Sequence, residues 1–128
     1  MERINISSGN PFEPVFGYCR AVRLGNQIHV AGTTAPAPYD RENAYEQAKA
    51  ALKVIQNALI EAKADMKDVV RTVVYVTDMA NLDEVAKAHN EAFADIRPAS
   101  TVVAVVALAG PDDLVEIEAY AIVNEDKT

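Results

Sequence analysis

The chain has 128 residues, a formal net charge of −7 and one cysteine, and half of its residues are hydrophobic. That length is one domain's worth and can bury a real core without staples, and a lone thiol excludes an internal disulfide and fits a reducing compartment. The twelve Lys and Arg are scattered, which disfavours nucleic acid and anionic membrane as partners, because both draw affinity from clustered cations.

Taken in chain order, residues 3–7 (RINIS) alternate and predict a short first strand. The prolines of NPFEP make 10–14 a loop. VFGYCRAVRL and QIHVA flank Gly25-Asn26, a two-residue turn, so 15–31 is expected to be a β-hairpin. Pro36 and Pro38 make 32–40 a loop. Over 43–64 the period changes: Ala48, Ala51, Leu52, Ile55, Ala58, Leu59 and Ala62 form a helical stripe, with Lys49, Lys53, Gln56 and Asn57 off it. Residues 68–78, rich in β-branched side chains, predict a strand. Asn81 is the expected N-cap of a second helix, with Glu84 completing a capping box. This helix carries Leu82, Val85, Ala86, His89, Phe93 and Ile96 on one face and stops near Arg97, ahead of Pro98. Two strands, 100–108 and 114–123, close the chain around an AGPDD loop.

No linker or repeat interrupts this order, so a single domain over 1–128 is expected, of the α+β class, with about six strands and both helices on one face of the sheet. The run 101–108 is apolar on both of its alternating sides and calls for burial on both. Two helices cover only one face, so the other is expected to meet a second copy of the chain. No run approaches the roughly 18 apolar residues of a membrane span, and MERINISSGN lacks a signal-like apolar core. A soluble, cytoplasmic protein is expected.

Side chains of the last strand alternate. Leu114, Glu116, Glu118, Tyr120 and Ile122 share one face; Val115, Ile117, Ala119, Ala121 and Val123 share the other, which belongs under the helices. Burial of the glutamate pair at an interface would raise a pKa toward general-base range. An ordinary polar face, or salt bridges to arginines such as Arg20 or Arg71, explains the same pattern. His89 and His29 are expected as satisfied core residues, and Cys19 as a packing residue. No metal-ligand spacing, phosphate loop or G-x-S-x-G motif is present. Residues alone reach an acidic oligomeric α+β domain with a carboxylate-bearing strand, and no reaction.

The chain resembles the reactive intermediate deaminase family (RidA, YjgF-type) over nearly its whole length. The resemblance lies in GYCRAVRLGNQIHVAGTTAPAP (17–38), DVVRTVVYVTDMANLDEVAKAHNEAF (68–93), RPASTVVAVVAL (97–108) and LVEIEAYAIV (114–123). It implies a chorismate-mutase-like fold and a homotrimer that holds small molecules in clefts between subunits. It also implies hydrolysis of reactive enamines and imines to 2-oxo acids and ammonia, without metal or cofactor. By the same resemblance Glu116 matches the glutamate that positions water and Tyr18 the tyrosine of the cleft, both catalytic. Ala31, Gly32 and Thr33 match the substrate-binding glycine loop, with Ala31 where the deaminases often carry serine.

Ser100 falls where the family places its carboxylate-binding arginine. A serine offers one neutral hydrogen bond, and losing a charge-assisted one costs about 1.5–3 kcal/mol. Arg97, three residues earlier and starting roughly 10 Å away, is the second candidate for anion binding; bracing the helix end or pairing with Asp95 are its other roles. Two functional readings follow. One is hydrolysis of imine or enamine metabolites by water activated at Glu116, not through the usual arginine. The other is a non-catalytic trimer that binds or senses a small metabolite. Ribonuclease activity, a label carried by some relatives, is weighed down by the acidic balance and the lack of a histidine pair or basic patch.

Overall fold

Period-two strands and two amphipathic stripes resolve, in a computed structural model describing residues 1–124, into nine elements. They are β1 (Arg3–Ile6), α1 (Phe12–Phe16), β2 (Ala21–Leu24), β3 (Gln27–Thr33), α2 (Ala44–Glu61), β4 (Val69–Val76), α3 (Leu82–Phe93), β5 (Ala99–Ala104) and β6 (Val115–Ile122). The six strands form one mixed sheet, ordered β1-β2-β3-β6-β4-β5. Only β4 and β5 run parallel, as the α3 crossover between them requires.

The alternation along β6 sorts the faces as expected. Val115, Ile117, Ala119 and Ala121 are buried in one core with Ile28, Val30, Val74 and Val76 from neighbouring strands. From above, α2 adds Ala48, Leu52, Ile55 and Leu59, and α3 adds Val85, Ala88 and Phe93. Glu116, Glu118 and Tyr120 lie on the opposite face and keep part of their surface.

Four expectations change. Residues 12–16 form a short helix, not a loop leading into a strand. Asn10 Oδ1 accepts the Phe12 N–H at 2.8 Å, Pro14 falls in the first turn, where no N–H is needed, and Gly17 closes the helix at φ 91°. The hairpin therefore begins at Ala21, and Tyr18 lies on the bend before it. Second, the capping box at Asn81 does not form. Asp78 caps a 3-10 turn over Met79–Asn81 through the Ala80 N–H, and Glu84 accepts the Tyr45 N–H across the helix pair instead.

Third, β5 stops at Ala104. It is the edge of the sheet, with Val102 and Val103 37% and 38% exposed and Val106 wholly so, so the burial that its apolar pattern calls for is not supplied within one chain. Fourth, His29 is exposed on the open face, its ring 5.4 Å from that of Tyr120. A strand's alternation puts every second residue out, and position 29 falls on the outer set. Among the described residues no helix is long and apolar enough to cross a membrane.

Candidate functional site

The site begins with a β-bulge. Val30 pairs with Ala119 and Thr33 with Ile117, so β3 spends one more residue than β6 over this stretch. The extra residue brings the Ala31–Gly32 backbone over Glu116. A Cβ on Gly32 would overlap the Glu116 carboxylate, so glycine is what lets the carboxylate lie against this backbone, and a side chain here would push it aside.

Glu116 thus lies at the wall of a cleft of about 1000 Å³, shared with Tyr18, Arg20, Ala31, Gly32, Thr33, Gly110 and Asp113. Burial pushes the Glu116 pKa up, and the Asp113 and Glu118 charges add to this, while the Arg20 charge opposes it. Asp113 is raised too, first by burial, although its Oδ2 accepts the Gly110 N–H at 2.9 Å. A carboxylate held in reserve beside a water-accessible cleft has the chemistry of a general base. The Tyr18 hydroxyl accepts from Arg20 Nη2 at 2.9 Å, which leaves its own O–H to donate into the cleft. The Thr33 hydroxyl is used within the bulge: it donates to Ala31 O at 2.8 Å and accepts from Arg20 Nη1 at 3.0 Å.

Five of the seven site candidates therefore meet in one cleft: Tyr18, Ala31, Gly32, Thr33 and Glu116. Ser100 and Arg97 do not join them. They line a second groove, of about 540 Å³, with His89, Asn90 and Phe93. There the Thr72 hydroxyl lies 2.7 Å from Ser100 Oγ and 2.9 Å from His89 Nε2. Arg97 adopts a left-handed φ of 57° and closes α3 through its N–H to Phe93 O at 2.8 Å. Its side chain is exposed and forms no ion pair with Asp95.

The sequence reading missed three cleft features. Arg20, named there only as a salt-bridge option, is a buried cation that organises the bulge. Asp113 sits in a loop with no periodic signal. Gln47 is fully buried and ties that loop down: it accepts the Leu114 N–H at 2.8 Å and donates to Asp112 O at 3.0 Å and Glu42 O at 2.9 Å. A polar residue on the buried stripe of α2 was the available signal. Glu118, by contrast, is spoken for. It accepts from Tyr75 at 2.5 Å and also from Tyr120, and the Tyr75 phenol is pushed up to about 12, chiefly by that bond.

Burial lowers the His89 pKa below 6.5, which carries a testable sign. A histidine held neutral in the fold stabilises above its unfolded pKa and loses that contribution as pH falls through its folded value. The melting temperature is expected to drop as pH is lowered below about 6.5, and His89→Gln to flatten the drop. Thermal unfolding across pH 7 to 5 checks this, and an unchanged slope in the variant would count against it.

A mixed six-stranded sheet with two helices on one face, and a glutamate of its central strand facing a glycine bulge, defines a YjgF-type α+β protein. The family model described as Endoribonuclease L-PSP matches residues 8–123, and the chain belongs to that family, which includes the RidA and RutC types. It is 37% identical over 120 residues to an uncharacterised protein of Streptomyces coelicolor, covering 90% of each chain. It is 30% identical over 127 residues to the 3-aminoacrylate deaminase RutC of Acinetobacter baylyi, covering 94% of this chain and 97% of that one. A crystal structure of a YjgF/YER057c/UK114 family member from Mycobacterium tuberculosis matches with a TM-score of 0.90 at 46% identity, over 95% of this chain and all of the other.

Proposed function

We propose that the chain is a cofactor-independent hydrolase of reactive imines or enamines, working in the cytoplasm as one RidA-type domain. The observation that carries this reading is the Glu116 carboxylate, pushed up in pKa by burial and pressed against Gly32 at a water-accessible cleft. Glu116 orients a water and takes its proton as the oxygen attacks the imine carbon, and the nitrogen receives a proton. The resulting carbinolamine then collapses, the C–N bond breaks, and a carbonyl compound and ammonia leave. An enamine enters the same route after protonation at carbon. The Tyr18 O–H donates to the bound substrate. The family likeness to a 3-aminoacrylate deaminase supports the substrate chemistry.

The proposed assembly is a homotrimer in which the Ser100–Arg97 groove of one copy faces the Glu116 cleft of the next. The exposed valines of β5 and the separation of the two grooves within one chain support it. Ser100 would then contribute a neutral hydroxyl where the family arginine stands.

The test adds purified protein to an amino-acid oxidase that releases imines from a panel of amino acids and times 2-oxo acid formation. Acceleration over buffer that disappears with Glu116→Ala is expected. No acceleration, with the variant indistinguishable from wild type, overturns the reading in favour of a metabolite-binding protein. Gly32→Ala provides a geometric control. Displacing the carboxylate by about 1 Å is expected to lower turnover roughly 100-fold with little change in melting temperature; equal turnover would show that the bulge does not set Glu116.

A further inference from the structure

The cation of the cleft is held in an unusual way. Arg20 is 4% exposed, yet among the described residues it forms no ion pair. Its partners are neutral: Gly32 O at 2.6 Å, Thr33 Oγ1 at 3.0 Å, Tyr18 Oη at 2.9 Å and Ser8 Oγ at 3.4 Å. A guanidinium has five N–H groups. Nη1 places both of its own, on Gly32 and Thr33, and Nε turns to Ser8. Nη2 gives one to Tyr18, and its second is left over. The Glu13 and Glu116 carboxylates lie near enough for the Arg20 charge to act on them, but neither takes the remaining N–H, which an incoming anion can accept as a charge-assisted hydrogen bond.

The Tyr18 bond completes the feature. Because the phenol oxygen accepts from Arg20, its hydrogen is free to donate away from the guanidinium. The spare Nη2–H and the Tyr18 O–H thus form a pair of donors whose heavy atoms are 2.9 Å apart, close enough to serve the two oxygens of a single carboxylate. The guanidinium carbon also lies 5.3 Å from the Tyr18 ring centroid, and Phe12 and Phe16 pack edge-on against that ring. These contacts fix the Tyr18 ring beside the guanidinium.

We infer that Arg20 and Tyr18 form a carboxylate-binding fork in the Glu116 cleft, so that the chain takes carboxylate-bearing imines or enamines although position 100 is a serine. The assignment rests on the reading of this cleft as the substrate site. It places the anion on the same chain as the base, with the reacting carbon between them. Arg20 is a binding residue here, and through Gly32 O it also positions the bulge.

The fork predicts a split between substrates. Imines released from amino acids carry the carboxylate; imines released from simple amines by an amine oxidase do not. Arg20→Gln is expected to raise KM for the first class roughly 10- to 100-fold more than for the second, because any loss through the bulge falls on both classes alike. Tyr18→Phe is expected to raise KM for the first class by a smaller factor. Equal effects on both classes would overturn the fork, since a purely structural role disturbs both alike. If Arg20→Gln fails to fold by circular dichroism, Tyr18→Phe and Arg20→Lys carry the same comparison. If the wild-type protein hydrolyses neither class, the hydrolase reading fails on its own, and the fork is then judged by binding. In an NMR titration, 2-oxobutyrate is expected to bind the wild type saturably, butanone not to bind, and either fork variant to lose 2-oxobutyrate. Binding of both probes, or of neither, would overturn it.

Discussion

Glu116→Gln is expected to abolish most turnover while making the protein more stable. The amide keeps the side chain's shape and its fit against Gly32 but cannot take a proton, and removing a general base typically costs 10²- to 10⁴-fold, so a loss of about that size is expected. The stability gain follows from the pKa direction. Burial, with Asp113 and Glu118 nearby, raises the folded-state pKa of Glu116. A carboxyl whose pKa is raised on folding contributes stability below its unfolded pKa and loses it as pH rises through the folded value. At pH 7 the wild type therefore carries a strained carboxylate that the variant lacks. The variant should melt higher at pH 7, with the gap closing near pH 4. A wild type that melts higher at pH 7 would show that Glu116 is stabilised as an anion, and would remove its claim to be the base.

The largest stability effect is expected at a residue with no part in the chemistry. Gln47→Leu leaves the Leu114 N–H and the carbonyls of Asp112 and Glu42 without the side chain that satisfies them. Buried or part-buried polar groups left unpaired cost about 1–3 kcal/mol each. Some of these can turn to water at the surface, so a loss of about 2–4 kcal/mol is expected, read from urea unfolding. Because Gln47 anchors the segment that carries Asp113 directly into β6, catalysis should weaken as well. Gln47→Glu is the informative companion: it keeps an acceptor for Leu114 but loses the donors. If Gln47→Leu unfolds like wild type, the loop is held by something other than this amide.

Much of the architecture was legible in the pattern of residues. The outward set of β6, the stripe of α2, the Gly25-Asn26 turn and the stop of α3 before Pro98 all follow from local periodicity and backbone sterics. Those rules act within a few residues and need no knowledge of the fold. Where local rules compete, they were read wrongly. Asn81 has the composition of a cap and stands at the N-cap position of α3 but forms no side-chain cap bond, while Asp78 caps the turn that precedes it through the Ala80 N–H. NPFEP carries two prolines, yet both fall where a short helix tolerates them.

The site was legible only in part. Glu116, Gly32 and Tyr18 came through the family likeness, and the chain does bring them to one cleft. Ser100 came from the same likeness and Arg97 from its place at the helix-to-strand junction, and both lie in a different groove. No spacing rule could place Arg20 against Gly32 and Thr33, because the contact depends on a bulge, and a bulge is a property of two paired strands rather than of one segment.

What the sequence determined by itself was the alternation that makes one face of the sheet apolar and leaves glutamates on the other. Period and burial are coupled residue by residue, so that division was readable without a structure. What only the tertiary structure decided was the meaning of those glutamates. Glu118 is committed to Tyr75 and Tyr120, whereas Glu116 is held against Gly32 beside the buried Arg20. Two carboxylates on one face of one strand have the same local sequence logic. Their pKa values and their chemistry are set by neighbours from β3, β4 and the 109–113 loop, which meet only when the sheet closes.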